Sequence, residues 1–395
     1  MTNTLPMVNL ITNLFFKSLY SIKTKLTRFK EDGFTLTELV VTLFIMTAIM
    51  AATFASFMTL SKSFKGVSKM TETHMEDIAG LDILRYDTEM GGYGLPKAYF
   101  PPSLGINYTE AASDGTYSPD PASLNDAPAN EPRPYAFSDN SGGNNSDVLT
   151  IKSLAVALTN VSEKWTFLYY NGATWVYRSW NDTRYDFKNT ERVIFVSPIN
   201  KTIQVAGGNW YFNIVNWPNH DIVNMPTPGS IDLAFIMYGV DSTSNLRMPF
   251  NRVDYFLYRP SSNFPTRCNP NTYTLYRAVI SHTNGLRNQQ PLLDCVADFQ
   301  VAFGLDTNAD NIIDTWTGSA LPTSVSTQID WLKEIKVFVL AQEGQFDPDF
   351  TYASATITVG DNDIMLKNFD LTTLPNYANY RWKLYKMVAK PLNLM

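Results

Sequence analysis

Histidine and cysteine are scarce in this sequence of 395 residues, which holds three histidines and two cysteines. It contains no H-E-x-x-H motif, no G-x-S-x-G motif and no phosphate-binding glycine loop, and its cysteines lack the spacing of a zinc site. The glycines at residues 91–94 lack the preceding strand of a dinucleotide site. These absences argue against most enzyme classes, so we predict a protein that is not an enzyme.

Positive charge is also in short supply after the first 33 residues. The whole chain has a net charge of −6, but residues 1–33 carry five Lys or Arg residues against two acidic ones. The remaining 362 residues therefore carry a net charge of −9. Because attraction to phosphate groups requires a basic surface, we expect no general nucleic-acid binding.

One stretch has no charged side chain at all, the 22 residues from Leu39 to Leu60. Its length and composition are those of a helix that crosses the hydrocarbon core of a bilayer. The basic residues before it predict a cytoplasmic N-terminus and an extracytoplasmic remainder. An ordinary secretory signal or an uncleaved anchor would explain the apolar length. Neither explains Gly33 or the carboxylate of Glu38 at the head of the run.

The stretch G-F-T-L-T-E at residues 33–38, between a basic leader and the apolar run, resembles the class III signal of type IV prepilins and pseudopilins. The resemblance implies that residues 1–33 are a leader, that a prepilin peptidase cuts between Gly33 and Phe34, and that the new amine is methylated. It also implies that Glu38 neutralises the amine of a neighbouring subunit during assembly, since a buried charge is tolerated when it is paired. The alternative is that Glu38 caps its own helix.

The region after the apolar run predicts a continuation of the same helix. Apolar residues recur at three- and four-residue spacings through residues 61–93, with His74 on the apolar side. The membrane and assembly half at residues 34–60 is therefore followed by an amphipathic half, in which His74 serves packing or a partner contact. Its predicted buried stripe comprises Phe64, Val67, Met70, His74 or Met75, Ile78, Leu81 and Leu84.

The composition of the rest of the chain predicts a loop region followed by a β-sheet region. Residues 94–146 are rich in Pro, Gly, Ser, Asn and Asp, which predicts a surface excursion with little regular structure. From residue 147 to residue 395 short β-type runs alternate with turn residues, and Asn171-Gly172 favours a tight hairpin turn. We predict an α+β fold. The prepilin resemblance implies a pilin-like form, in which the long helix packs its second half on a large antiparallel β-rich domain.

Several stretches resemble the large minor pilins of the PilW type. They are residues 85–94 at the helix end, 145–150, 253–257, 275–277 and 293–314, whereas residues 160–250 have no counterpart. The resemblance implies a minor pilin that takes part in initiating or capping a type IV pilus. It would first lie in the inner membrane and later in the pilus at the cell surface. Its implied partners are other minor pilins, the major pilin, the prepilin peptidase, the inner-membrane assembly platform and membrane lipid.

Two other functions stay open at this point. One is a pilus-tip adhesive or ligand-binding module carried on a pilin helix, and the other is a pseudopilin of a type II secretion system. An exposed aromatic patch within residues 160–250 would favour ligand binding, because contiguous exposed apolar surface marks interaction sites.

A candidate metal site lies in the acidic stretch at residues 306–314. Oxygen ligands at alternate positions are typical of a calcium loop of the D-x-N-x-D type. The predicted ligands are Asp306, Asn308, Asp310, the carbonyl of Ile312, and Asp314. The twelfth position holds Thr317 in place of a glutamate, and a polar hairpin turn is the alternative interpretation. Calcium is the one cofactor that the sequence suggests.

The two cysteines, Cys268 and Cys295, can form one intramolecular disulfide, which would enclose a loop of 26 residues. In an oxidising compartment such a bridge contributes roughly 3 kcal/mol in the loop-entropy model. Two buried free thiols are the alternative.

Overall fold

This computed structural model describes residues 33–95, 108–115, 119–127, 131–199, 201–205, 209–215, 221–222 and 234–394, without the side chains of residues 72–77, 215, 221 and 222. Residues 1–32 of the predicted leader therefore lie outside the described residues, as does the side chain of His74. The chain divides into two compact units, Met1–Lys65 and Gly66–Met395.

A long helix, α1 (Leu36–Glu89, 54 residues), comes first in the described chain. It contains no proline, and Gly92 with a positive φ of +84° follows its last turn, where a left-handed residue ends a helix. The segment Leu36–Thr71 has a mean hydropathy of 2.2 and is exposed. By length and composition it can cross a membrane. The predicted long helix with an apolar first part is confirmed.

The amphipathic half of α1 buries less apolar surface than the sequence pattern predicts. Leu84 is fully buried in the main core, and Leu81 packs partly buried beside it. Tight packing against the sheet occurs near Gly80, close to the end of the helix. The predicted buried stripe is wrong for three members, which are exposed: Phe64, Val67 and Ile78.

Sixteen strands and a second, short helix follow in the described part of the chain. In chain order they are β1 (Tyr135–Ser138), β2 (Val148–Ser153), β3 (Trp165–Tyr170), β4 (Trp175–Tyr177), β5 (Arg192–Val196), β6 (Phe212–Val215), β7 (Asp221–Ile222), β8 (Ala234–Asp241), β9 (Asn251–Tyr258), β10 (Tyr273–Ile280), β11 (Arg287–Leu305), β12 (Thr315–Thr317), α2 (Val325–Trp331), β13 (Leu332–Glu343), β14 (Thr356–Gly360), β15 (Met365–Asp370) and β16 (Arg381–Ala389).

The largest sheet runs in the order β1-β2-β9-β10-β11-β13-β16, with β12 paired to β11, and every pairing is antiparallel. Strands β2 and β9 are direct neighbours, with Ile151 opposite Val253. The six strands β3 to β8 lie between them in sequence, yet none of them joins this sheet. They are therefore an insertion between two paired strands of the main sheet.

The inserted strands form a second antiparallel sheet in the order β4-β3-β8-β5-β6-β7. A hairpin joins β3 to β4, as predicted, but the turn spans four residues, since Tyr170 is opposite Trp175. The side-chain oxygen of Asn171 accepts the N–H groups of Ala173 and Thr174, both at 2.9 Å. Gly172 supplies the positive φ that this turn requires.

Different elements cover the two faces of the main sheet. Side chains alternate along β11 and β13, so that Phe299 joins Leu84 of α1 in the main core, whereas Phe338 packs with Phe369 of β15 on the other face. The two-stranded sheet of β14 and β15 therefore covers part of the face opposite α1. The predicted large antiparallel β-rich domain with a helix on its sheet is confirmed.

Described parts of residues 94–146, the predicted surface excursion, are buried or paired in a sheet, while residues 96–107, 116–118 and 128–130 lie outside the described residues. Tyr108 and Leu124 are buried, and β1, which lies within this range, pairs with β2 across the predicted boundary at residue 147. The polar composition was misleading because acidic side chains of this range, such as Glu110, are buried against cationic partners on the sheet.

The residues after β16 complete the end of α1. The Leu392 N–H donates to the carbonyl of Glu89 at 3.0 Å, and Leu394 is buried in the main core, packed against Gly92. One of the carbonyl groups that a helix end leaves without an internal partner is thereby satisfied by a distant part of the chain.

Two glycines of α1 offer a matched test of how closely the helix packs. A Cβ at Gly80 would lie 2.3 Å from Cδ1 of Leu293 and 2.8 Å from the Leu292 carbonyl oxygen, whereas a Cβ at Gly66 would meet no atom within 4 Å. We expect Gly80→Ala to lower the free energy of unfolding by about 1–3 kcal/mol, despite the better helix propensity of alanine. Gly66→Ala should be neutral or stabilising. Denaturation of both variants in the same detergent measures the difference, and equal effects would contradict the packing.

Candidate functional site

The start of α1 holds the predicted processing and assembly residues. A Cβ at Gly33 would meet no atom within 4 Å, and Phe34 is 84% exposed. Oε2 of Glu38 accepts the Thr35 N–H at 2.9 Å and the Thr35 hydroxyl at 2.8 Å, while the Glu38 N–H donates to that hydroxyl at 3.3 Å. This reciprocal pairing is a capping box, so Glu38 caps its own helix in the single chain. Its role toward a second subunit stays a prediction.

The apolar part of α1 satisfies its own polar side chains. Their hydroxyl groups donate to carbonyl oxygens three or four residues earlier in the helix, at 2.8–3.0 Å. An unsatisfied polar group costs several kcal/mol in hydrocarbon, so these bonds suit the segment to lipid or to other apolar helices. The donors are Thr42, Thr47, Thr53, Ser56 and Thr59.

The end of α1 is held on the main sheet by a buried ion pair. Oδ2 of Asp87 lies 2.7 Å from Nε of Arg277 on β10 and accepts the hydroxyl of Tyr255 on β9 at 2.6 Å. Arg277 also donates to the carbonyl of Val156. Because all three side chains are buried, this cluster joins α1 to the two adjacent strands in one defined position.

Asp87 is a buried acidic residue in the last turn of α1, where neither burial nor the helix dipole favours a negative charge. Burial raises the pKa of its carboxyl above the ordinary value, and the guanidinium of Arg277 opposes that shift. An acidic residue in the last turn of a helix also opposes the helix dipole, and no basic residue accompanies it there. An acidic residue at this position in the sequence indicates a cationic partner elsewhere in the chain, which the sequence pattern alone does not identify.

A second buried network fixes the chain around Glu110 and Asp126. Nζ of Lys152 on β2 lies 2.7 Å from Glu110 and 2.6 Å from Asp126. Arg252 on β9 lies 3.1 Å from Glu110 and 2.9 Å from Asp254. Burial disfavours the ionised form of Asp254, but the two guanidinium groups beside it outweigh this and lower its pKa. Sequence spacing did not reveal this network, because its members come from segments far apart in the chain.

The inserted sheet exposes aromatic side chains on one face of β3. Trp165, Phe167 and Tyr169 point outward at alternate positions, and the ring of Trp180 packs beside Trp165. This is the kind of patch that the sequence analysis named as favouring ligand binding by residues 160–250.

The five predicted calcium ligands lie in one turn between β11 and β12, where the side-chain oxygens of Asp306, Asn308, Asp310 and Asp314 accept from the turn's own amides. Asp306 accepts the N–H groups of Asp310 and Asn311 at 3.2 and 2.9 Å, and Asp314 accepts that of Thr307 at 2.8 Å. Across the described ranges, no group of three or more His, Cys, Asp or Glu side chains is placed to hold a metal ion. These contacts fit a polar turn, and calcium binding stays a prediction.

A disulfide joins Cys268 to Cys295, whose Cα atoms are 4.9 Å apart. Cys268 lies in the connection between β9 and β10, and Cys295 lies in β11 where the pairing with β10 shifts register. The bridge therefore ties this connection to a central strand of the main sheet.

Two family models match this sequence. One is described as Type IV Pilus-assembly protein W and matches residues 254–390, and the other is described as Prokaryotic N-terminal methylation motif and matches residues 28–54. No curated protein and no solved structure gives a match.

The two matches fall on separate parts of the chain. The first runs from β9 to β16 and the second includes Gly33, Phe34 and Glu38, whereas neither covers residues 160–250. Both families are structural components of pili and not enzymes, and a methylation motif before an apolar helix fits a membrane-anchored pilin. The resemblances predicted from the helix start and from the later strands are both confirmed.

Removal of the Asp87 carboxylate tests the importance of the ion pair at the helix end. We expect Asp87→Ala to lower the free energy of unfolding by about 3–5 kcal/mol, because it leaves a buried guanidinium without its carboxylate. The matched control is Asp82→Ala, which removes an exposed pair with Arg85 on the same helix and should cost about 0–1 kcal/mol. Urea unfolding of the full chain in detergent, followed by tryptophan fluorescence, measures both. Small and similar losses would show that α1 is held by apolar packing alone.

Proposed function

We propose that this chain, a type IV minor pilin of the PilW type, is cut between Gly33 and Phe34 and takes part in initiating or capping a type IV pilus. Its proposed partners are other minor pilins and the major pilin, after the prepilin peptidase and the inner-membrane assembly platform have acted on it. Before assembly the helix would lie in the inner membrane, with the domain on the extracytoplasmic side.

The observation that carries this proposal is the arrangement at the start of α1. An exposed glycine and phenylalanine precede the helix, a carboxylate stands in its first turn, and an exposed apolar segment follows. Glycine at the cut allows close approach of an enzyme to the backbone. Cleavage would place an amine on Phe34, which lies four residues before Glu38 and two residues before the start of α1.

Glu38 has the capacity to serve both its own helix and a neighbour. Both hydrogen bonds from Thr35 go to Oε2, and Oε1 accepts none from the residues that the structure describes. A carboxylate has about four acceptor sites, so Oε1 can bond the amine of a second subunit without loss of the capping box. Pairing offsets the cost of the charge at membrane depth.

The exposed apolar side chains of α1 support a role in a helical assembly. Val67 lies near the end of the membrane-length segment Leu36–Thr71, and Ile78 lies beyond it. Neither side chain is buried in the domain. Apolar side chains that stay exposed along a helix gain stability when another helix covers them. On the inserted sheet, the exposed side chains of Trp165, Phe167 and Tyr169 on β3 favour ligand binding as a second function.

The mature N-terminus tests the processing step directly. We expect mass spectrometry of the protein from pili or membranes to find a chain that begins with N-methylated Phe34. Protein from a strain without the peptidase should retain the leader and serves as the control. A mature chain that begins at another residue would overturn the proposed cleavage.

Substitution of Glu38 separates the capping role from the assembly role. Glutamine also forms a capping box but has no charge, so Glu38→Gln should keep the helix and its insertion while reducing incorporation into pili about as strongly as Glu38→Ala. Immunoblots of sheared pili and of membrane fractions measure incorporation and insertion. If Glu38→Gln assembles normally and Glu38→Ala does not, capping is the function of this residue.

A further inference from the structure

The inserted sheet carries a straight row of exposed aromatic rings on β3. Trp165, Phe167 and Tyr169 are 37%, 43% and 45% exposed, while Thr166 and Leu168 between them are buried. Alternate residues of a strand lie on one face, about 6.6–6.8 Å apart. The three rings therefore form a strip along one face of the sheet, which we call the aromatic strip.

The aromatic strip is the uncovered end of a face that is buried farther along the sheet. Trp165 and Phe167 lie opposite Tyr238 and Ile236 on β8, which are partly buried. The next strand, β5, buries its side chains on that face in a core cluster with Phe250 at the start of β9. Among the described residues, a core cluster covers this face over β5 but does not include the three aromatic side chains of β3, which are exposed.

Trp180 is fixed beside the aromatic strip by its own hydrogen bonds. Its Nε1–H donates to the carbonyl of Trp165 at 2.8 Å, and its backbone N–H donates to Asp186 at 2.7 Å. The two indole rings have centroids 5.3 Å apart at an angle of 68°, and the guanidinium of Arg178 lies 4.5 Å from the Trp180 ring. Side chains held in this way lose little entropy when a ligand binds.

A cavity of about 220 Å³ opens at the Trp165 end of the aromatic strip and is lined by Glu163, Trp165, Trp180 and Tyr185. This volume is below the roughly 300–1,000 Å³ of pockets for drug-sized ligands, so it suits one ring-sized unit. Glu163 offers acceptor oxygens at its rim. Charges of both signs lie around the cavity, since Arg178 lies over Trp180, Glu163 lines the cavity, and Arg184 beside Tyr185 is paired with Asp182 at 2.7 Å.

We propose that the aromatic strip and its cavity bind uncharged, β-linked hexopyranose chains of a polysaccharide. The faces of such sugar rings present polarised C–H groups, which aromatic faces attract through their negative quadrupole. Their equatorial hydroxyl groups lie at the ring edge, where Glu163 can accept from them. When the linkage is β-1,4 between equatorial positions, the chain is flat and extended, which matches a row of rings along a strand. Nucleic acid would require a predominantly basic surface, whereas the carboxylate of Glu163 lines this cavity and Arg184 is paired with Asp182.

Titration of the full chain with defined oligosaccharides tests the proposal. The probes are cellohexaose and chitohexaose, with maltohexaose as a curved, α-linked comparison, and the detergent must contain no sugar. Calorimetry and tryptophan fluorescence should show binding of at least one β-linked probe, with maltohexaose at least about tenfold weaker. No binding of either β-linked probe, or equal binding of maltohexaose, would overturn the proposal.

Variants locate the binding on the molecule. Trp165→Ala should weaken binding by on the order of tenfold, since loss of a ring contact and its area is worth about one such factor. The control is Trp331→Ala on α2, where the side chain is similarly exposed at 36%. If Trp165→Ala does not fold, Phe167→Ala takes its place, with Phe346→Ala as the control. In a separate test, Glu163→Ala should weaken binding more than Glu163→Gln. Equal losses in the test variant and its control would contradict the site.

The same variants distinguish sugar binding from a protein contact. The sugar proposal does not depend on the role in pilus assembly, so Trp165→Ala should enter pili normally while Glu38→Gln should bind sugar normally. If Trp165→Ala loses incorporation into pili and binds the oligosaccharides as well as the unchanged chain, the aromatic strip is an interface with another subunit and the proposal is wrong.

Discussion

The buried pair of Asp87 and Arg277 constrains the rest of the domain, because a charge out of water is tolerated only against its partner. It specifies which residues of α1 face the sheet, and hence that Gly80 lies against β11 where no side chain fits. Apolar contacts alone would allow the helix to rotate or slide by a turn. The ion pair allows one position, and the strands that contribute to it, β9 and β10, are central in the main sheet.

The insertion of the second sheet between β2 and β9 separates two tasks within one chain. The pairing of β2 with β9 keeps the main sheet continuous, and it does not depend on the size of the insertion between these two strands. The inserted strands can therefore change their exposed surface without disturbing the helix-binding face. The family match to residues 254–390 begins after the insertion and covers the strands from β9 to β16.

Sequence reasoning succeeded where the signal is local and failed where burial depends on distant partners. The apolar length, the helix end near Gly92 and the β-rich remainder follow from periodicity and composition. The burial of Glu110 could not be inferred, since its partner Lys152 lies in another segment. The run W-T-F-L-Y-Y of β3 places large side chains on both faces, so the sequence alone does not show which face is buried. Whether Trp165 is covered depends on how far the neighbouring core extends.

The contact of Leu392 with Glu89 bears on the order in which the protein folds during synthesis. The helix is made first, whereas the groups that complete its end follow all sixteen strands of the described chain. Contacts of such long sequence separation form late and slowly. Leu84 therefore lacks part of its core until β16, which contributes Met387 and Ala389 to the same cluster, is in place.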